Sequence, residues 1–135
     1  MDKIKIHVLR TGEVRVSPYL PFGGDNCSII KASGLTTPKK DWIWLPVFSY
    51  LIEHPKGEGL CALKIRNAEG KYVLLFADGG YATKSWRDMI TSGITLDKTL
   101  QRQSLQWIRE QSLSPDCIAS LATHDTEVHP HVIEL

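Results

Sequence analysis

The 135-residue sequence has no excess of charge of either sign and no long apolar run. Its net charge of +1 gives no electrostatic reason to expect a nucleic-acid partner or an anionic membrane surface. No stretch approaches the roughly 20 apolar residues of a membrane span, and the N-terminus lacks the apolar run of a signal peptide. Cysteine is scarce: Cys27, Cys61 and Cys117 are widely spaced and odd in number, so we expect reduced thiols and a cytoplasmic protein.

What is present is an ordinary globular composition, with 42% apolar and 23% charged residues. The length falls near the usual size of one domain. We therefore expect a single domain over residues 1–135, with N-terminal strands and a loop in 1–57, and a hairpin, helices and C-terminal strands in 58–135.

The first part of the chain is rich in strand patterns. Apolar and polar residues alternate over Ile4–Leu9 and again over Val14–Val16, and Thr11–Gly12 between them predicts an opening hairpin. The Gly, Pro, Ser and Thr content of Pro18–Lys40 predicts a long irregular loop. The largely apolar run Trp42–Glu53 predicts a buried strand.

Strand and helix patterns alternate in the second part, which predicts a layered α/β arrangement with helices flanking a β-sheet. The predicted elements are a hairpin of Leu60–Arg66 and Lys71–Ala77, a short helix at Ser85–Ile90, a helix from Leu96 to about Gln111 capped by Thr95, a strand at Cys117–Ala122 and a short final strand in the tail HVIEL. The buried face of the long helix is predicted to consist of Leu96, Leu100, Trp107 and Ile108.

Two polar motifs directly follow predicted strands. LLFADGGY ends with Asp78 and Tyr81, and SLATHDTEVHPH contains His124. Together with the opening HVLRTGEVRVSPYLPFGGDN and the segment VFSYLIEHPKG, they make the chain resemble the metallo-β-lactamase superfamily, in particular its N-acyl-homoserine-lactonase-like members. The resemblance covers nearly the whole chain and implies a single truncated domain with a partial metallo-β-lactamase-like layered β-sheet and flanking helices.

The resemblance implies a zinc-dependent hydrolase that opens small-molecule lactones in quorum quenching. In that family two zinc ions supply a hydroxide nucleophile near neutral pH. By resemblance, Asp78 and His124 are metal ligands, and Tyr81 polarises the lactone carbonyl.

The sequence departs from that family where most of its metal ligands should lie. The His-x-His-x-Asp-His signature is absent, and so is the separate histidine that precedes the hairpin. The join lies near Gly57 and Glu58, and two family ligands remain. A catalytic zinc usually needs three protein ligands and a structural zinc four, so we expect zinc binding to be weak or absent.

Each candidate residue also has a structural interpretation. Asp78 with its two glycines suits a strand-to-helix turn, Tyr81 suits packing, and His124 suits a strand cap. Trp42 and Trp44 suit the core or an interface, and the alternative for them is an acyl-binding pocket.

Two functions follow from these observations. The first is an internally deleted relative of a lactone hydrolase, inactive or strongly impaired as written. The second is a non-catalytic module that self-associates into a homo-oligomer or binds a partner, because a lost central segment exposes sheet edges and apolar surface. The sequence leaves open whether the chain is an enzyme.

Overall fold

The computed structural model describes residues 3–53, 64–95 and 97–135. In chain order the elements are β1 (Lys5–Val16), α1 (Tyr19–Phe22), α2 (Ile29–Ala32), a 3-10 turn (Lys39–Asp41), β2 (Ile43–Glu53), β3 (Lys64–Arg66), β4 (Tyr72–Ala77), α3 (Thr83–Arg87), α4 (Lys98–Ser112), β5 (Cys117–Ala122) and β6 (His131–Glu134). None of the helices in these ranges combines the length and apolar content needed to cross a membrane.

The first sheet has the strand order β2-β1-β6, and both pairings are antiparallel. The predicted opening hairpin is wrong, because β1 continues through Thr11 and Gly12 as one 12-residue strand. A register shift between Arg10 and Gly12 absorbs the irregularity as a bulge. The Thr11 hydroxyl donates to the Val47 carbonyl at 3.2 Å, which holds the bulge against β2. The strand predicted at Trp42–Glu53 is confirmed with a start at Ile43, but it is not buried throughout, because Trp44 is 59% exposed.

The second sheet has the order β3-β4-β5. Its antiparallel β3–β4 pair confirms the described part of the predicted hairpin, and residues 60–63 lie outside the described residues. Asn67 shapes the turn, since its side-chain oxygen accepts from the backbone of Glu69 and Lys71. The β4–β5 pairing is parallel, and it brings Ala77 and Ala122 into register at the carboxyl ends of the two strands.

Three layers form around two apolar clusters, which makes the architecture α/β. Alternate residues of β4 point to opposite sides, as expected for a strand covered on both faces. Val73 and Leu75 pack towards the first sheet, and Leu74 and Phe76 pack towards α3 and α4. The cluster between the sheets contains Ile4, Ile6, Val8, Phe48, Ile65, Val73, Leu75 and Leu121. The cluster under the helices contains Tyr72, Leu74, Phe76, Trp86, Leu105, Ile108 and Ala122.

The buried face of α4 differs from the predicted one. Leu105 and Ile108 are buried, whereas Leu100 and Trp107 are 60% and 44% exposed. Leu100 and Trp107 lie seven positions apart and share a stripe, but that stripe is rotated away from the one that meets the sheet. The helix also begins later than predicted, with Asp97 as its N-cap, and Leu96 lies outside the described residues.

The segment predicted as an irregular loop, Pro18–Lys40, contains the short helices α1 and α2. Gly34 is needed there because its φ is +83° and a Cβ would lie 2.6 Å from the Trp42 ring. The strand predictions at Cys117–Ala122 and in the C-terminal tail are confirmed by β5 and β6. Cys27 and Cys117 are free thiols, and Cys61 lies outside the described residues.

Candidate functional site

The candidate site lies where the parallel strands β4 and β5 end. Asp78 directly follows β4, and His124 comes two residues after β5. Because Ala77 and Ala122 are in register, the two polar side chains meet at one edge of the sheet. Ala77 has a φ of 44°, a left-handed conformation that is uncommon for a residue with a Cβ and turns the chain as it leaves the strand.

Asp78 and His124 form the centre of this site. The His124 Nε2 atom lies 3.3 Å from Asp78 Oδ1. The histidine side chain is 14% exposed and the aspartate side chain is 60% exposed. The pair is therefore anchored in the protein through the histidine and is open to the outside through the carboxylate.

A backbone carbonyl sets the orientation of the histidine ring. His124 Nδ1 lies 2.9 Å from the carbonyl oxygen of Pro46 on β2. A carbonyl only accepts, so Nδ1 carries a hydrogen, and in a ring with one hydrogen Nε2 presents a lone pair. Nε2 faces a carboxylate oxygen of Asp78, and an ionised carboxylate is also only an acceptor. Such a pair is stabilised by a cation between the two atoms, either a proton on Nε2 or a metal ion.

Tyr81 packs on the histidine. The two rings are stacked with centroids 5.5 Å apart and an interplanar angle of 22°. Burial raises the pKa of the Tyr81 hydroxyl, and the charge of Asp78 adds to this effect, while a hydrogen bond with Ser92 lowers the pKa. The structure thus brings Tyr81 to the pair as a protonated phenol whose hydroxyl already has a partner.

Asp125 lies next to His124 in sequence but does not join the pair. Its side chain is 2% exposed. Its carboxylate accepts hydrogen bonds from the backbone of Thr83 at 2.7 Å and of Glu127 at 3.0 Å. Thr83 is the first residue of α3, so Asp125 caps that helix from a distant part of the chain and holds the turn that follows β4 beside the end of β5.

Strand β2 also supports the end of β5. The Tyr50 hydroxyl donates to the Ala122 carbonyl at 2.6 Å, and the Phe48 backbone donates to the Thr123 carbonyl at 2.9 Å. Burial raises the pKa of Tyr50, and the charge of Asp125 raises it further, so this hydroxyl stays a donor across the neutral range. Together with the His124 contact, these bonds fix the end of β5 against the first sheet.

The distance between the two donor atoms is compatible with a zinc site, but the number of ligands is not. Two ligand atoms of a tetrahedral zinc, each about 2.0–2.2 Å from the metal, lie about 3.3–3.5 Å from each other. The contact between Asp78 and His124, at 3.3 Å, falls in this range. Within residues 3–53, 64–95 and 97–135, however, no group of three or more His, Cys, Asp or Glu side chains is placed to hold a metal ion. The described residues therefore offer two donor atoms here and fall short of the three ligands of a catalytic zinc.

A cavity of about 290 Å³ adjoins His124. Its apolar wall is formed by Phe22, Ile43, Trp44, Leu45 and Ala82, and its polar wall by Lys84, His124, Asp125, Thr126 and Glu127. Trp44 lines this cavity and is 59% exposed, so it does not fill the core, and its role in an acyl-binding pocket stays a prediction. Trp42 packs against Gly34 instead, and its indole N–H donates to the Thr37 carbonyl.

The contacts of Pro46 with His124 and of Ser92 with Tyr81 could not be predicted from the sequence. A backbone carbonyl has no residue signature, and Pro46 is far from His124 along the chain. For Asp125 a signal did exist, because an aspartate directly after the candidate ligand suits a local cap or hydrogen bond. Comparison of the chain with protein-family models, curated proteins and solved structures finds no match.

Proposed function

We propose that this chain is an internally deleted relative of zinc-dependent N-acyl-homoserine lactonases, which retains two ligands of the family's metal site and has little or no hydrolytic activity of its own. The observation that carries the proposal is the contact between His124 Nε2 and Asp78 Oδ1, with the other ring nitrogen held by a carbonyl. Histidine ligands of metals commonly have their second nitrogen fixed in this way.

Asp78 and His124 would hold the cation, and Tyr81 would cover one face of the histidine ring. A bound zinc in a complete site lowers the pKa of its water and so supplies a nucleophile. Two protein ligands bind a cation weakly and do not fix its remaining positions, so we derive no hydrolytic step from this pair. The cavity beside His124, with Phe22 and Trp44 in its wall, is where we propose that the apolar part of a small-molecule lactone would lie.

We also propose that the protein is cytoplasmic. In that compartment thiols stay reduced, which is compatible with the free Cys27 and Cys117. Burial also raises the pKa of the Cys117 thiol, which makes this cysteine less reactive.

Zinc uptake by equilibrium dialysis against the chelator-free protein tests the proposal. We expect weak, saturable binding that is lost in Asp78→Ala and in His124→Ala. Asp116→Asn is the matched control, because its carboxylate is exposed, pairs with Lys71 and lies at the other end of β5. Zinc uptake that is the same in all of these variants would show that the pair is not the site.

A lactone assay on the same samples tests the second half of the proposal. We expect no zinc-dependent ring opening of N-acyl-homoserine lactones beyond a small residual rate. Zinc-dependent turnover at the rate of an ordinary enzyme, lost in the Asp78 variant, would contradict the loss of hydrolytic function.

The alternative is a non-catalytic module that self-associates. One observation favours it: Leu100 and Trp107 are large apolar side chains that α4 leaves exposed. Their burial between two chains would be favourable, with or without a metal ion. Light scattering of the metal-free protein distinguishes the two functions, because this alternative predicts a concentration-dependent increase in mass that Trp107→Glu reduces. A strictly monomeric metal-free protein would contradict it.

A further inference from the structure

The pair of Asp78 and His124 supplies two ligands, which is half of the set that a structural zinc requires. Structural zinc sites usually have four protein ligands in a tetrahedral arrangement. The ligand atoms of the pair have a separation that suits two corners of such a tetrahedron. Two more corners must be filled from outside the described part of this chain, since no third acidic, histidine or cysteine side chain joins the pair there.

The pair is accessible to another molecule. The Asp78 side chain is 60% exposed at the end of β4, and its Oδ1 atom lies 3.3 Å from His124 Nε2. His124 itself lines an open cavity. A cation held here is therefore within reach of ligands that approach from solvent.

An uncharged surface lies directly beside the pair. A groove of about 610 Å³ starts at Gly79, the residue after Asp78, and runs along α4. It is lined by Phe76, Gly79, Leu100, Gln103, Ser104, Trp107 and Ile108, none of which is charged. Two copies of the chain that meet over this groove bury the exposed parts of Leu100 and Trp107, and the charged Arg102 and Glu110 lie on the adjoining part of α4 beside Trp107.

We propose that one zinc ion joins two copies of this chain, and that each copy contributes Asp78 and His124 to a shared tetrahedral site next to the α4 groove. The inference rests on the proposed function, because it requires that the pair binds a cation. A two-fold axis through the metal makes the interface isologous, so that the same residues meet on both sides. Two aspartates and two histidines complete the four ligands that one chain lacks.

The charges make this assembly depend on the metal. Without a cation, the two-fold arrangement places two Asp78 carboxylates against each other, and they repel. One divalent ion neutralises both carboxylates and uses the Nε2 lone pairs that the Pro46 carbonyl leaves free. The dimer should therefore form with zinc and dissociate when a chelator removes it.

Sedimentation velocity of the whole chain, with zinc added stepwise, tests the inference. We expect a monomer of 15.2 kDa in chelator and conversion to a dimer as zinc saturates the site, with half an equivalent of zinc bound per chain at saturation. Magnesium should not replace zinc, because it prefers oxygen ligands and binds imidazole poorly.

Matched variants identify the surface. Asp78→Asn and His124→Ala should abolish the zinc-induced dimer, and Trp107→Glu should weaken it. His131→Ala is the control, an exposed histidine on β6 that should leave the dimer unchanged. Loss of the dimer in His131→Ala would overturn the proposed ligand set, since the second copy would then supply its C-terminal histidine.

Different results would overturn the shared zinc site and the proposed function. One zinc per chain on a protein that remains monomeric would overturn the shared site and leave the proposed function standing. Absence of any zinc uptake would overturn both. A dimer that forms equally well in chelator would overturn the role of the metal.

Discussion

Asp125→Ala removes a carboxylate that is 2% exposed and accepts two backbone hydrogen bonds, from Thr83 and from Glu127. A hydrogen bond to a charged group contributes about 1.5–3 kcal/mol, so loss of both lowers the free energy of unfolding by roughly 3–6 kcal/mol. The lower end of this range is expected, because Glu127 is exposed and its backbone N–H can be hydrated. Even this loss is a large part of the roughly 5–15 kcal/mol that stabilises a typical domain.

Asp125→Asn distinguishes the contribution of the hydrogen bonds to the free energy of unfolding from the contribution of side-chain packing. The amide has the same shape and one acceptor oxygen, so we expect about half of the loss. Urea denaturation followed by tryptophan fluorescence measures both effects. Asp116→Asn is the control at the exposed end of β5 and should leave the midpoint nearly unchanged. An Asp125→Ala protein whose midpoint and slope match those of the parent would refute the role assigned to this carboxylate.

Three further changes test other parts of the structure by the same assay. Leu105→Ala empties a position that is 0% exposed under α4 and should cost about 2–5 kcal/mol. Gly34→Ala should cost more than about 1 kcal/mol, because its φ is +83° and the new Cβ meets the Trp42 ring. The pKa of Tyr50 is raised in the folded protein from its ordinary value of 10.0, so the stability that this group contributes is complete below about pH 10 and is lost as the pH rises further. Tyr50→Phe should therefore show a smaller loss of stability between neutral and alkaline pH than the parent, and an identical loss would contradict the assignment.

The strands could be predicted because their side-chain pattern has a period of two and their lengths are ordinary. The hairpin around Asn67 and the strand Cys117–Ala122 are of this kind. The error at Thr11 and Gly12 has a physical cause, since those two residues suit a tight turn as well as a bulge. Pairing with β2, which is distant in sequence, favours the bulge over the turn, because β2 is long enough to pair with all of β1.

The face of α4 could not be predicted for a related reason. Leu100, Trp107 and Ile108 form an apolar stripe in helical projection, but Leu105 fits more deeply against the sheet and sets the rotation of the helix. Only the packing partners on β4 settle which of two overlapping apolar faces is covered. The other face is left for solvent or for a second molecule.

One part of the candidate site could be predicted from the sequence, and another part could not. Asp78 and His124 were both predicted to follow strands, and the structure places them 3.3 Å apart where the parallel strands β4 and β5 end. Their role as metal ligands stays a prediction. The Pro46 carbonyl that orients the histidine ring could not be predicted, because its contact depends on how the two sheets pack.

The central claim is that His124 presents its Nε2 atom, with Asp78, to a cation. Nitrogen NMR of the histidine side chain tests it most directly, because the spectrum reports which ring nitrogen carries the hydrogen and which responds to metal. We predict a hydrogen on Nδ1 with and without zinc, and a change at Nε2 when zinc is added, which Asp78→Asn reduces. A hydrogen confined to Nε2, or a histidine whose two nitrogens ignore zinc, would contradict the account.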